Sequence, residues 1–272
     1  MLLFRALASG SSGNAFLLQT DRTRLLFEAG LRLPRLRQLL ANEGVQPERL
    51  SAILVSHEHT DHCLAAKEMA ASYDIPICSN AAVLRATGTR ELKQATVIEI
   101  DQPTLFGDVE VTCFPVSHDA VRPVGFLIRA ARRTIAIATD LGEPTPELLE
   151  AVAQADLVVL EANHDLQMLK RGRYPYHLQR RVSGPKGHLS NDQAASILTK
   201  HVKGEAVDVW LAHLSRENNT PGLATKTVKR ALRDVGLESV ALGVASRDRP
   251  SLRWTGVPRP RQLSLFACAE IG

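Results

Sequence analysis

The chain has 272 residues, of which 44% are hydrophobic and 23% are charged, a balance typical of a soluble globular protein. No stretch is apolar over the roughly 20 residues that a membrane span requires, and the apolar start is too short for a signal peptide. The net charge of +4 is small, so nucleic-acid binding would have to come from local basic clusters. The 4 cysteines are scattered and form no C-x-x-C pair, which is typical of reduced thiols. We therefore expect a cytoplasmic protein of one or two domains with no membrane partner.

The start of the chain predicts strands, one helix and a flexible loop. Strands are expected over residues 2–7, 15–19, 24–27 and 52–55, and a helix over 34–44. Between the first two strands lies S-G-S-S-G-N, residues 9–14, whose backbone amides could cradle an anion or could simply form a hairpin connection. In the first interpretation, Ser12 and Asn14 are candidate contacts to nucleic acid.

Six polar residues follow the predicted strand at 52–55, namely His57-Glu58-His59-Thr60-Asp61-His62. So many imidazoles and carboxylates in one short segment are hard to explain by packing, although a solvated polar loop is the alternative. Zinc-binding helices space their histidines at i and i+4. Here the potential ligands stand at i, i+2, i+4 and i+5, which suits a tight loop that directs side chains toward two centres. Nitrogen and oxygen ligands of this kind suit zinc, and also manganese or iron.

Five predicted strands end at a polar residue that can bind a metal or transfer a proton. Helices are expected over 61–73 and 81–86, and Thr145 is expected to cap another. Further strands are expected over 75–78, 97–100, 109–116, 125–129, 134–138, 157–160 and 207–211. The polar groups at strand ends are the hexad, His118, Asp140, Glu161 and His213. Any one of them alone is most simply a loop residue, but open α/β folds place their sites at the carboxyl ends of strands, so together they predict one site.

The hexad and three later strings resemble the metal motifs of the metallo-β-lactamase superfamily. The strings are V-S-H at 116–118, T-D-L-G at 139–142 and A-H-L-S at 212–215. The resemblance implies an αββα sandwich over residues 1–257 with a site for two divalent metal ions, Mn²⁺ or Zn²⁺. It implies that one ion is held by His57, His59 and His118, that the other is held by Asp61, His62 and His213, and that Asp140 bridges both.

Four finer strings resemble a bacterial nuclease subgroup of that superfamily, the YycJ/WalJ type. They are S-G-S-S-G-N at 9–14, E-A-N-H-D at 161–165, G-H-L-S-N at 187–191 and L-S-R-E-N-N at 214–219. The subgroup implies a 5′ to 3′ DNA exonuclease, without the inserted β-CASP domain, that acts in DNA repair or replication. An RNA-processing nuclease and a small thioester or lactam hydrolase of the same fold are the alternatives.

His188 is the candidate general acid. Ser190 and Gln193 have the spacing of a capping box, which places His188 beside a helix N-terminus where free amides favour a phosphate. Glu161 is expected to orient His188 and keep it protonated, the role of the matching pair in the transfer-RNA 3′-processing nucleases, whose G-H-S-T string G-H-L-S resembles. Asp61 completes the predicted catalytic set, and a purely structural His188 is the alternative.

Residues 170–181 form a basic stretch with interleaved tyrosines and no acidic residue. Its position between Glu161 and His188 favours contact with nucleic acid over a solvated loop. The candidate contacts are Lys170, Arg171, Arg173, Tyr174, Tyr176, Arg180 and Arg181, with Arg216 after the last metal motif. Of the remaining histidines, His164 is expected either to support the site or to lie on the surface, and His177 and His201 are expected on the surface.

Residues 258–272 are predicted to form a separate tail. A Pro/Arg linker leads to Q-L-S-L-F at 262–266, which resembles the motif with which bacterial polymerases and repair proteins bind the DNA sliding clamp. The residues that would contact the clamp are Gln262, Leu263, Leu265 and Phe266. A last edge strand is the alternative, because apolar side chains alternate along this segment.

Overall fold

The computed structural model describes residues 1–204 and 206–257. These residues form two facing β-sheets of seven strands each, with helices on both outer sides.

The first part of the chain builds most of the first sheet. Its strands are β1 (Leu3–Ala8), β2 (Ala15–Gln19), β3 (Arg24–Phe27), β4 (Ala52–Leu54), β5 (Ile77–Ser79) and β6 (Ala95–Val97). Its helices are α1 (Leu33–Asn42), α2 (Thr60–Cys63), α3 (Ala66–Tyr73) and α4 (Ala81–Ala86), with a 3-10 turn at Pro47–Arg49. From β1 to β3 the strands pair antiparallel, and from β3 to β6 they pair parallel.

The second part of the chain builds the second sheet in the same manner. Its strands are β7 (Pro103–Phe106), β8 (Val109–Pro115), β9 (Val124–Ala130), β10 (Arg133–Ala138), β11 (Leu157–Glu161), β12 (Asp208–Ala212) and β13 (Ala241–Val244). Its helices are α5 (Pro146–Gln154), α6 (Leu166–Arg171), α7 (Tyr176–Val182), α8 (Asn191–His201) and α9 (Pro221–Asp234). From β7 to β10 the strands pair antiparallel, and from β10 to β13 they pair parallel. The last described strand, β14 (Arg253–Trp254), returns to the first sheet and pairs with β1.

Three apolar cores hold the layers together. Between the sheets, Phe4 lies 5.5 Å from Trp210 and Phe27 lies 5.2 Å from Phe126, measured between ring centroids. A second core packs the first sheet against α1, α3 and α4, and a third packs the second sheet against α5, α8 and α9. Because both faces of each sheet are buried, the central strands are continuous apolar runs rather than alternating ones. The predicted αββα sandwich is confirmed.

Several predicted elements are wrong in detail. The strand expected at 97–100 is β6, which ends at Val97, and an edge strand that was not predicted, β7, precedes β8. Pro103 opens β7, a position where the missing N–H costs little. The helix expected over 61–73 is broken at residues 64–65 into α2 and α3. The basic stretch at 170–181 contributes to two helices that were not predicted, because Asp165 caps α6 and Pro175 precedes α7.

Three cysteines within the described residues, Cys63, Cys78 and Cys113, are free thiols, as expected. No helix in the part of the chain that the structure describes is long and apolar enough to cross a bilayer. The predicted tail, with Gln262, Leu263, Leu265 and Phe266, lies outside the described residues.

Candidate metal centre and active site

The seven predicted metal ligands lie at one edge of the sandwich in two clusters of potential ligand atoms. His57, His59 and His118 form one cluster. Asp61, His62, Asp140 and His213 form the other. Within each cluster the ligand atoms lie within 4.8 Å of one another. The hexad follows β4. Asp140 follows β10 and His213 follows β12, the two parallel strands that flank β11, so the strand ends bring distant residues together.

The first cluster directs unused nitrogen atoms toward a common point. His57 Nδ1 lies 2.8 Å from the Ser56 hydroxyl, while its buried Nε2 has no hydrogen-bond partner in the described protein. His118 Nδ1 donates to the Gly187 carbonyl at 3.0 Å, which leaves Nε2 with a lone pair. That Nε2 lies 3.3 Å from His59 Nδ1. A buried nitrogen without a partner is costly unless an ion or water occupies the site, so these residues fit a metal.

Asp140 lies between the two clusters. Its Oδ2 is 2.9 Å from His62 Nε2 in the second cluster, and its Oδ1 is 3.8 Å from His118 Nε2 in the first. In the second cluster, His213 Nε2 lies 3.2 Å from Asp61 Oδ2. The backbone φ angle is positive at both Asp140 (59°) and His213 (54°). Residues other than glycine rarely adopt this left-handed conformation. Strain of this kind is retained where the surrounding structure requires a side chain at one position, as in a ligand cage.

Protonation in the two clusters follows from burial and from Asp140. Burial, together with neighbouring imidazoles, lowers the pKa of His57, and burial lowers the pKa of His118. Both are therefore neutral at pH 7, the form that binds a metal. Burial opposes charge on His62 and His213 as well, but Asp140 raises the pKa of both, that of His213 to about 10. These two imidazoles hold protons that a bound cation would displace.

Glu161 connects His188 to the metal ligands. Its Oε1 accepts from His188 Nδ1 and from His213 Nδ1, both at 2.8 Å. Its Oε2 accepts from the backbone amides of Leu141 and Leu189, at 3.1 and 3.0 Å. Glu161, Asp140 and the two imidazoles could also be considered a third ligand cluster, but the Glu161 oxygens are already fully used by the protein. The geometry therefore fits an orienting carboxylate rather than a further metal site.

The electrostatics of this pair agree with the predicted acid role. Burial opposes ionisation of Glu161, but the adjacent imidazoles His188 and His213 lower its pKa to about 2. Burial also opposes charge on His188, but Glu161 raises the pKa of His188 above its usual value. A capping box between Ser190 and Gln193 is present at the start of α8, as expected, and follows His188 directly. His188 is thus held at Nδ1 and keeps Nε2 for a substrate.

Asn14 lies inside the protein rather than on a binding surface, contrary to prediction. It is fully buried, and its amide lies 3.1 Å from His62 Nε2 and donates to the Asp61 carbonyl at 3.2 Å. Its Oδ1 accepts from the Ser9 hydroxyl, which in turn accepts from the backbone amide of His213. The loop at 9–14 therefore holds ligands of the second cluster from behind. Ser12 is exposed, so that prediction stays open.

Glu28 was missed from the sequence, although it follows a predicted strand in the same way as the other site residues. It is buried after β3, with Oε1 3.4 Å from His62 Nδ1 and Oε2 accepting from the Ser56 amide at 3.3 Å. A carboxylate behind a metal-binding imidazole fixes its orientation and its basicity. The same expectation, that a polar residue at the carboxyl end of a strand belongs to the site, would have identified Glu28 at the end of β3.

Three buried asparagines join the motif strings that mark the nuclease subgroup. The Asn219 amide donates to the carbonyls of Ala162 and Asn163 and to Asn191 Oδ1. Asn163 donates to the His213 carbonyl at 2.9 Å. These strings therefore act as scaffolding that holds the loops after β11 and β12 against the start of α8.

The two clusters and His188 open onto a cavity of about 230 Å³. Its lining also includes Ser11, Asp119, Leu178, Arg181 and Lys186. Lys186 was not predicted as a site residue, because it stands alone in the sequence. A larger groove, of about 1110 Å³, lies beside α1 around Arg37 and Tyr73 and contains none of the predicted site residues.

The predicted nucleic-acid contacts differ in how close they come to this cavity. Arg181 lines it and also pairs with Asp119 at 3.2 Å. The other predicted contacts that follow residue 14 do not line the cavity. Tyr174 is half-buried. The remaining ones are exposed: Lys170, Arg171, Arg173, Tyr176, Arg180 and Arg216.

The remaining histidines separate clearly by burial. His164 is fully buried and neither ring nitrogen has a hydrogen-bond partner in the described protein, which excludes a surface position. His177 is exposed, as expected, whereas His201 is half-buried.

The fold and its ligand clusters are those of a metallo-hydrolase, and the chain belongs to the beta-lactamase superfamily, whose domain matches residues 23–209. Within that superfamily it is 35% identical over 239 residues to exodeoxyribonuclease YycJ of Bacillus anthracis, covering 86% of this chain and 90% of that protein. It is 34% identical over 240 residues to exodeoxyribonuclease WalJ of Streptococcus pneumoniae, covering 86% and 89%. The chain is therefore a member of the YycJ/WalJ exodeoxyribonuclease family.

Solved structures share the fold at much lower identity. YhfI of Bacillus subtilis superposes with a TM-score of 0.72 at 18% identity, covering 93% of this chain and 99% of that one. The short form of human tRNase Z superposes with a TM-score of 0.61 at 14% identity, with the same coverage. These two likenesses concern the fold alone.

Proposed function

We propose that this protein is a metal-dependent exodeoxyribonuclease that removes nucleotides from the 5′ end of DNA, in the cytoplasm, during repair or replication. The observation that carries the proposal is that both ligand clusters and His188, which Glu161 holds from behind, open onto one cavity that Arg181 and Lys186 also line. A phosphodiester carries a negative charge, and such a cavity offers it cations, metal ligands and a proton donor together. Family membership supports DNA as the substrate.

Two divalent ions, Mn²⁺ or Zn²⁺, fit the ligands. His57, His59 and His118 would hold one ion, Asp61, His62 and His213 would hold the other, and Asp140 would contact both. When bound, such ions make water nucleophilic near neutral pH and neutralise charge that develops on the phosphoryl oxygens.

The residues of the chain orient the substrate and supply the leaving-group proton. Glu161 holds His188 at Nδ1, so its Nε2 can donate to the departing oxygen. Asp61 would act through the second ion, which its carboxylate would hold together with His213, while Glu161 fixes His213 at Nδ1. Arg181 and Lys186 would bind phosphates next to the cleaved bond, and the exposed cations of α6 and α7, with Arg216 and Ser12, would bind the strand beyond.

A substrate panel tests the proposal. Purified protein is incubated with Mn²⁺, Zn²⁺ or a chelator and with duplex DNA, single-stranded DNA, RNA of the same sequence and a small thioester, each nucleic acid labelled at either end. We expect metal-dependent release of a labelled nucleotide from 5′-labelled DNA, while a 3′ label stays on fragments that shorten progressively. The variant Asp140→Ala, purified in parallel, controls for contaminating nucleases.

Other outcomes of the same panel would replace the proposal. Release from RNA but not from DNA would identify an RNA-processing nuclease. Hydrolysis of the thioester alone would identify a small-molecule hydrolase. Release of the 3′ label before the 5′ label would show that the enzyme removes nucleotides from the 3′ end instead.

A further inference from the structure

The helix α9 presents a basic face that the active site does not use. Four exposed cations lie on one side of the helix, because they are spaced at i, i+3, i+4 and i+7: Lys226, Lys229, Arg230 and Arg233. The opposite side is buried in the core through Ala224, Val228 and Leu232. The packing of α9 therefore needs only its apolar side, and the cations are free to contact another molecule.

The charge of this face is not balanced within the protein. None of the four cations has an ion-pair partner among residues 1–204 and 206–257, and the acidic residue of α9 is Asp234 at its last position. The helix α5 packs on the same outer face of the second sheet, with α8 between it and α9, and it carries Glu147 and Glu150 but no Lys or Arg. The helical layer over the second sheet is thus acidic at α5 and basic at α9.

The helix α9 begins next to the active site, and Lys226, the first of the four cations, is its sixth residue. The loop from His213 to the cap of α9 at Thr220 joins the second metal cluster directly to the helix. The Asn218 carbonyl in this loop accepts from the Asp165 amide at the start of α6, at 2.8 Å. A Cβ built on Gly172, at the end of α6, would lie 2.8 Å from Asn218 Oδ1. The basic end of α6 therefore lies beside the loop that leads into α9.

Exposed cations consequently follow one another from the cavity outward. Arg181 lines the cavity, Lys170, Arg171 and Arg173 lie at the end of α6, Arg216 lies in the loop after His213, and the four cations of α9 come next. A polyanion that enters the cavity can extend along this side.

We propose that the exposed face of α9 is a second DNA-binding surface that holds the phosphate backbone of duplex DNA several base pairs away from the end being cleaved. The inference rests on the proposed function, since it assumes a DNA substrate. The four cations span seven residue steps of α9, about 10 Å at 1.5 Å per residue, which is the length of about three base pairs. A duplex held there stays associated between successive cleavages, because its contacts with α9 do not include the bond that is broken.

The test compares two variants that lose the same charge. In the first, Lys226, Lys229, Arg230 and Arg233 are replaced by Gln. In the second, four exposed cations elsewhere, at the β2–β3 turn and on the first-sheet side, are replaced by Gln: Arg22, Arg49, Arg85 and Arg90. Affinity for duplexes of about 8 and about 24 base pairs, with nuclease-resistant phosphorothioate ends, is measured by fluorescence anisotropy over a range of salt concentrations.

We expect the α9 variant to bind the long duplex about tenfold or more weakly and with a salt slope lower by about two to four, since each phosphate contact contributes about 0.9. The loss should be smaller for the short duplex, and the control variant should match the parent protein on both. Circular dichroism checks that each variant is folded. If the quadruple variant does not fold, the pair Lys226→Gln and Lys229→Gln is measured in the same way, with a slope change of up to about two.

Equal affinity and equal salt slopes for the parent, α9 and control proteins on the long duplex would overturn the inference. Equal losses for both variants would also overturn it, because net charge rather than α9 would be responsible. If the parent protein neither binds nor cleaves DNA, the proposed function itself fails. If the parent cleaves DNA and α9 has no effect, only the second surface is wrong.

Discussion

Asp140 is the residue whose position in the site is the most tightly constrained by its surroundings. It is buried, has a left-handed backbone and contacts imidazoles of both ligand clusters. We predict that Asp140→Ala loses most of the bound metal and nearly all hydrolysis, because it would contact both ions. Metal content by plasma mass spectrometry and cleavage of labelled duplex measure this. Asp192→Ala, an exposed carboxylate at the start of α8, serves as control. Full activity with two metals retained would refute the proposed centre.

His188 is held at one nitrogen only, which separates proton transfer from metal binding. We predict that His188→Ala keeps its metal and loses about 10²–10⁴-fold in kcat, because a general acid acts in the transition state. The loss should shrink for a p-nitrophenyl phosphodiester, whose leaving group needs no proton. The exposed His177→Ala is the matched control. An unchanged kcat on DNA, where the leaving group is poor, would rule out the acid role.

At the scale of the elements, Asn219 fixes the relative position of the loops that follow β11 and β12. Its amide donates to two backbone carbonyls and to Asn191, all in the buried interior. We predict that Asn219→Ala lowers the free energy of unfolding by about 1–3 kcal/mol or more, because buried acceptors lose their donors. Urea unfolding measures this, with Asn42→Ala at the exposed end of α1 as control. A variant as stable as the control would show that the asparagine cluster is not structural.

The helices α6 and α7 carry most of the cations near the cavity. We predict that replacing Arg171, Arg173, Arg180 and Arg181 by Ala weakens DNA binding and flattens its salt dependence by up to about 0.9 per lost phosphate contact. The long and short duplexes should both be affected, because these helices lie close to the cleaved end. The Arg22, Arg49, Arg85 and Arg90 variant again controls for net charge. An unchanged salt slope would place the DNA elsewhere.

At the scale of the whole molecule, residues 258–272 lie outside the described residues, and the sliding-clamp hypothesis stays a prediction. We expect a peptide of these residues to bind the clamp, and full-length protein with Gln262, Leu265 and Phe266 replaced by Ala to lose that binding. Hydrolysis of short duplexes should be retained, because a tether raises local concentration without adding contacts at the active site. Surface plasmon resonance and the cleavage assay test both parts. If the triple variant unfolds, the segment is a strand of the sandwich instead.

The sequence determined by itself those features that depend on neighbours along the chain. The apolar runs of β4, β10, β11 and β12 and the polar residues at their ends predicted which strands supply the site, because strand and loop preferences act over a few residues. The capping box before α8 was equally local and was confirmed. The sequence did not predict a role for the basic face of α9, formed by Lys226, Lys229, Arg230 and Arg233. A charged helix face indicates a binding surface only when its position relative to the site is known.

The packing of the two sheets determined the rest. Glu161 contacts His188 and His213, residues 27 and 52 positions away. The parallel pairing of β11 with β12 brings His213 to Glu161, and the loop before α8, held by Leu189, brings His188 to the same oxygen. Asn14 appeared to be a surface contact because its loop is polar, yet that loop folds inward against His62. Such contacts depend on distances between elements that are far apart in sequence, and no local preference encodes those distances. The sequence therefore identified the candidate metal ligands, and the tertiary structure added the residues that support them.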